Sequence, residues 1–204
     1  MDPAGNNERP GAGIVFLAGE DSENSPSVES GFPARPLVEA LLRCSGTMAA
    51  AESCTAGMVA DLVARIPGAS RVLWGSFVTY MVDAKVKALG LDAGELEKFG
   101  PVSRETACAM ALGALDRSGA DYAVAVTGLA GPGGGEPNGF GTVVPVGTVW
   151  IATVDRERVP QACEFHFEGA RNEIRTRAAR ASLEALLKRI LLGERDRHEV
   201  PSPA

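Results

Sequence analysis

The chain has only two histidines and four cysteines among its 204 residues, 5% aromatic side chains and no excess of basic charge. Each scarcity excludes something. Cys44, Cys54, Cys108 and Cys163 are scattered with no Cys-x-x-Cys pair, so neither a zinc site nor a disulfide framework is expected, and the usage is that of a reduced, cytoplasmic protein. A net charge of −6, with no basic stripe before an arginine-rich C-terminal segment, repels a phosphate backbone, so nucleic acid is not an expected partner. The early apolar run at 14–18 is too short for a membrane span and lacks the flanks of a signal peptide, so neither a membrane partner nor a leader is expected. Of the histidines, His198 lies in a charged tail that ends in prolines, and His166 alternates with Phe165 and Phe167 on a late apolar segment. A Ser-His-Asp triad is therefore not expected.

What is present is enough apolar sequence, 45%, for one good core. Residues 1–33, rich in Gly, Pro, Ser and acidic residues, read as a disordered tail, and 193–204 as a fraying one, which leaves 34–192 as the folded domain. Within it the hydrophobic period switches repeatedly between helix and strand. Helices are predicted at 35–44, 55–66, 82–89, 95–99, 103–117 and 172–192, the fourth a short one. Strands are predicted at 47–51, 73–80, 122–126, 148–154 and 162–167. That alternation specifies an α/β class, a three-layer α/β/α sandwich with a mixed, mostly parallel sheet. The final helix should bury Ile174, Ala178, Ala181, Leu186, Ile190 and Leu191.

Three features at predicted strand ends carry chemistry. Ser53, within Ala51-Glu-Ser-Cys-Thr-Ala-Gly57, falls between a buried strand and a helix, where a nucleophile can be mounted and free amides of the helix start can hold an oxyanion; Ser53 or Thr55 can equally be a helix cap. With no histidine base, a buried lysine of lowered pKa is the alternative. Lys85, after Val78-Thr-Tyr80, is the candidate, set against the commoner fate of an exposed helix lysine. The loop 128–141 holds seven glycines in fourteen residues and suits close approach to a phosphate or oxyanion. It fits neither the Walker nor the dinucleotide pattern, and a flexible connection is the plain alternative.

Taken together and in order, Ala-Glu-Ser53-Cys-Thr-Ala-Gly, Pro67-Gly-Ala-Ser70, Val-Thr-Tyr80 with Lys85, Pro101-Val-Ser103, Val126-Thr-Gly-Leu-Ala-Gly-Pro132 and Val146-Gly-Thr-Val-Trp150 resemble the C-terminal domain of the competence-damage-inducible protein CinA, over about residues 34–192. Stand-alone members of that family are nicotinamide-nucleotide amidases, so the resemblance implies hydrolysis of nicotinamide mononucleotide to the acid and ammonia, with no cofactor and no metal. It implies Ser53 as nucleophile, Lys85 as base and Tyr80 as its partner. Substrate contacts are implied at Thr55, Thr127, Gly128, Gly131 and Gly133, and at Arg171 in the late Phe167-Glu-Gly-Ala-Arg171 motif. A homodimer is the expectation for the assembly, and a pyridine nucleotide for the small-molecule partner. The alternative is a non-catalytic nucleotide-binding or scaffolding module of the same fold. Two departures from the family pattern are visible: Cys54 and Ala56 replace the commoner residues of the serine motif, and residues 137–145 lengthen the glycine loop. No pyrophosphatase activity is expected, because the family's separate N-terminal domain is not part of this sequence.

Overall fold

In a computed structural model of the protein, residues 33–135 and 137–199 are described, with side chains as far as residue 193; the expected N-terminal tail up to residue 32 and residues 200–204 of the C-terminal one lie outside the described residues. The elements follow the order α1 (Ala34–Arg43), β1 (Met48–Glu52), α2 (Met58–Ala64), β2 (Leu73–Val78), α3 (Val82–Leu89), α4 (Ala93–Phe99), α5 (Arg104–Ser118), β3 (Tyr122–Gly128), β4 (Thr148–Asp155), β5 (Gln161–His166) and α6 (Arg171–Glu199). A single 3-10 turn at Ala69–Arg71 precedes β2. The strands form one mixed sheet in the order β2-β1-β3-β4-β5, parallel over β2, β1 and β3 and antiparallel at β4 and β5.

Strand alternation sorts the two faces. Met48, Ala50, Val124, Val126, Val149 and Ile151 point into one core with α1, α2 and α6, while Ala51, Ala123, Ala125, Ala152 and Val154 point into the other with α5. The second face is built largely of alanine. Small strand residues let α5 lie close, and α5 answers with Ala107, Ala111, Ala114 and Gly113. Ser103 caps α5 as its position predicts, its hydroxyl accepting from the Thr106 amide at 3.1 Å.

Three expectations are corrected. The second helix begins at Met58 rather than 55, because residues 54–57 form a turn in which Ala56 (φ 52°) and Gly57 (φ 97°) are left-handed. The second strand stops at Val78, where the Thr79 amide donates to the Glu52 carbonyl and the chain leaves the sheet. The last helix runs on to Glu199, so 193–199 is helical rather than frayed; Ile174, Ala178, Leu186 and Ile190 are buried on it, whereas Leu191 is exposed.

Gly113 sits where helix α5 crosses the end of α3: a Cβ there would lie 2.5 Å from the Leu89 carbonyl oxygen. Gly113→Ala should therefore destabilise the protein by about 1–3 kcal/mol although alanine is the better helix former. Urea unfolding checks this; an unchanged or raised midpoint would show that the two helices can part without cost.

Candidate active site

The parity of β1 decides which side chains meet. Glu52 continues the Met48–Ala50 face and turns toward α2, while Ser53 continues the Ala51 face and turns toward α3. From α3, Lys85 comes in fully buried and donates from Nζ to Ser53 Oγ at 3.0 Å and to the Thr79 carbonyl at 2.7 Å. Burial penalises the ammonium and pulls the Lys85 pKa from 10.5 down to about 8. The Thr79 carbonyl fixes one N–H direction, so in the neutral amine a lone pair can face the serine hydroxyl. The same burial does the opposite to the neighbouring thiol: the Cys54 pKa is pushed up to about 11, so the thiol stays protonated at neutral pH.

Glu52 is the residue that sequence reasoning passed over. Its carboxylate has no exposure and accepts five hydrogen bonds. Oε2 takes the Thr55 hydroxyl (2.8 Å) and the amides of Gly57 (2.9 Å) and Val59 (3.0 Å); Oε1 takes the Ala60 amide (3.1 Å) and the Ser76 hydroxyl (2.9 Å). The acid thus caps α2 and holds the left-handed turn after Ser53. On the carbonyl side of that turn, Arg175 donates to Cys54 O at 2.9 Å and Thr55 O at 3.0 Å. The amides at the start of α2 are consequently occupied and cannot form the expected oxyanion site. In the turn itself, the amides of Cys54 and Thr55 donate to no backbone carbonyl among the described residues, the Cys54 amide lying toward its own thiol, and they adjoin the serine.

The other expected residues fall into two groups. Tyr80 and Arg171 come together: Arg171 donates to the Tyr80 hydroxyl and to the Gly131 carbonyl, both at 2.6 Å. Tyr80 follows β2 and Gly131 follows β3, so the guanidinium bridges the end of β1, which lies between them. The Tyr80 hydroxyl is on Arg171 and makes no hydrogen bond to Lys85 or Ser53 among the described residues. Thr55 and Thr127 are both fully buried and committed elsewhere, Thr55 to Glu52 and Thr127 to the Pro101 carbonyl at 2.6 Å. They shape the walls instead of offering free hydroxyls. Gly128 answers a packing demand, since a Cβ would stand 2.7 Å from Val149 Cγ2, while Gly133 is exposed with open space around it. His166 lies exposed near Glu164, away from Ser53.

A family model described as the CinA C-terminal domain matches residues 33–190. The chain belongs to that family. Among curated relatives, it is 46% identical over 155 residues to a CinA-like protein of Geobacter metallireducens, covering 76% of this chain and 36% of that protein. It is 43% identical over 190 residues to a putative competence-damage inducible protein of Symbiobacterium thermophilum, covering 89% and 41%. The chain thus spans less than half the length of these relatives. A solved structure, the competence/damage inducible protein CihA from Agrobacterium tumefaciens, superposes with a TM-score of 0.71 at 42% identity, over 76% of this chain and 92% of that one. A CinA superfamily protein from Klebsiella pneumoniae gives 0.72 at 30% identity, over 78% and 96%. The α/β fold expected from the sequence is that of these CinA structures.

Glu52→Gln keeps one acceptor but turns an amide NH2 toward donors that the carboxylate satisfied. It should cost about 2–3 kcal/mol of stability and lower any serine-dependent turnover further than that loss of folded protein explains. Urea unfolding beside a rate assay on the folded fraction checks it, and a wild-type midpoint would remove Glu52 from its place as the cap.

Proposed function

We propose that this CinA-family domain is an amidohydrolase that converts nicotinamide mononucleotide to nicotinate mononucleotide and ammonia. The observation that carries the reading is the 3.0 Å contact between Ser53 and a buried lysine whose pKa lies near 8. Such a pair is a nucleophile with its base. Neutral Lys85 takes the Ser53 proton as Oγ attacks the carboxamide carbon, and the carbonyl oxygen becomes an oxyanion against the Cys54 and Thr55 amides. Each well-aimed donor of this kind is commonly worth about 3–4 kcal/mol. The Lys85 ammonium returns its proton to the leaving nitrogen and ammonia departs, leaving an acyl ester on Ser53. Lys85 then takes a proton from the attacking water, the ester is cleaved, and Ser53 is restored. Glu52 and Arg175 touch none of the reacting atoms; they hold the turn that presents them.

The nucleotide half of the reading rests on charge at the mouth. Arg171, Arg175 and Arg177 all stand in the first two turns of α6, at the end of the sheet where Ser53 emerges, and Arg171 is exposed. A phosphate ester would find there one guanidinium already aligned by Tyr80 and Gly131. Tyr80 is on this reading the residue that orients Arg171, instead of a proton relay.

Ammonia release from nicotinamide mononucleotide by the purified protein should be lost in Ser53→Ala. Binding of the nucleotide without release by the unaltered protein would favour a non-catalytic module. Because the lysine must be neutral, the rate should rise about tenfold per pH unit below 8 and level off above it. Lys85→Arg, which keeps its proton, should abolish turnover across that range. A flat profile from pH 6 to 9, or an active arginine variant, would remove Lys85 as the base.

A further inference from the structure

Away from Ser53 and Lys85, neither of which lines it, the structure has a cavity of about 440 Å³ between the start of α5, the strands β4 and β5, and the lengthened glycine loop. That volume is within the range of small-molecule sites. Three of its walls are aromatic, Phe99, Phe140 and Trp150, and its charged groups are Arg104, Glu105 and Glu164. The aromatic wall supplied by the loop is built, not incidental. Asn138 Oδ1 accepts from the amides of Phe140 (3.0 Å) and Thr142 (2.9 Å), and its Nδ2 donates to the Phe99 carbonyl at 3.4 Å. The Gly139 amide donates to Glu97 O at 3.2 Å, and a Cβ on Gly139 would lie 3.0 Å from the Lys98 backbone. The loop therefore lies flush on the end of α4, and it sets Phe140 against Phe99 with centroids 5.8 Å apart while leaving the Phe140 ring 62% exposed.

The cavity is also tied to the nucleophile. Sheet register places Ser53, Thr127, Trp150 and Glu164 in one row on the same face, so Trp150 stands about 10 Å from Ser53, two strand spacings away. Pro101, whose carbonyl is held by Thr127, heads the segment whose next residues, Val102 and Ser103, line the cavity. Arg104 faces two carboxylates, Glu105 and Glu164, which disfavours an anion; Lys98 Nζ already sits 4.5 Å over one face of Phe99, and the Phe140 and Trp150 rings favour a flat ring, more so one with positive charge.

We propose that this cavity is a binding site for a flat heteroaromatic ring, neutral or cationic. The ring belongs to a second molecule, because the carboxamide carbon that Ser53 attacks is bonded directly to the pyridine ring and a cavity that Ser53 does not line cannot hold that ring. Binding is read in a Ser53→Ala/Trp74→Phe protein, in which Trp150 is the single tryptophan and no turnover occurs; Trp74 is exposed and stacks on Phe77, a contact that phenylalanine keeps. Titration with 1-methylnicotinamide should quench Trp150 saturably, nicotinate should bind at least tenfold more weakly, and adding Phe140→Ala should weaken 1-methylnicotinamide at least fivefold. Phe140 is exposed enough that its truncation leaves the fold intact. Linear, unsaturable quenching, equal affinity for nicotinate, or an unchanged constant in Phe140→Ala would overturn the site. Where quenching saturates, a constant unaffected by nicotinamide mononucleotide supports the site, and competition by the nucleotide places the ring at Ser53 and overturns it. The readout does not use ammonia release, so it stands or falls separately from the amidase reading.

Discussion

The buried carboxylate of Glu52 is the constraint on which the site depends. A charge without exposure is tolerable only when its oxygens are fully engaged, and here five donors converge on it. Those donors come from the turn, from the first residues of α2 and from β2, so one group joins three elements at the end of β1. The next residue is the serine. Its direction follows from that of Glu52, because adjacent strand residues face opposite sides of the sheet.

The two faces thus divide the work. On the α2 side, Glu52 draws the turn inward by its N–H groups and Arg175 draws it outward by its carbonyls, which holds Ala56 in a left-handed conformation that alanine does not favour. On the α3 side, the alanine-lined core brings helices close to the sheet, and Lys85 reaches Ser53 while fully buried. On the reading proposed above, that burial is what lets the amine serve as a base. An exposed lysine would remain protonated at neutral pH and could not accept a proton from a serine.

The mouth and the cavity extend this arrangement across the sheet. Arg171 spans the end of β1 between Tyr80 and Gly131, and the row that begins at Ser53 continues through Thr127 to Trp150. Thr127, by holding Pro101, connects the region around Ser53 to the aromatic-lined cleft beside the long loop. Changes in that loop can therefore reshape the cavity without touching the Ser53–Lys85 pair.

Much of this was legible in the sequence by itself. Apolar patterning located the α-helices and strands of the described domain to within a few residues: burial on one face imposes a repeat of 3.6 on a helix, and the central strands β1 and β3, buried on both faces, stand out as continuous apolar runs. Motif order identified the family, and the shortage of histidine directed attention to a lysine base. Only the tertiary structure decided that Glu52, written in the sequence as one more residue of a serine motif, is the cap of α2, and that the α2 amides are therefore closed to an oxyanion. It alone decided that Tyr80 meets Arg171, that Thr55 and Thr127 spend their hydroxyls inside the protein, and that Lys85 is buried. The physical reason is common to all of them. A side chain's partner and its dielectric surroundings are set by which elements cross above it, and those elements lie up to about 120 residues away along the chain, as Arg175 does from Thr55.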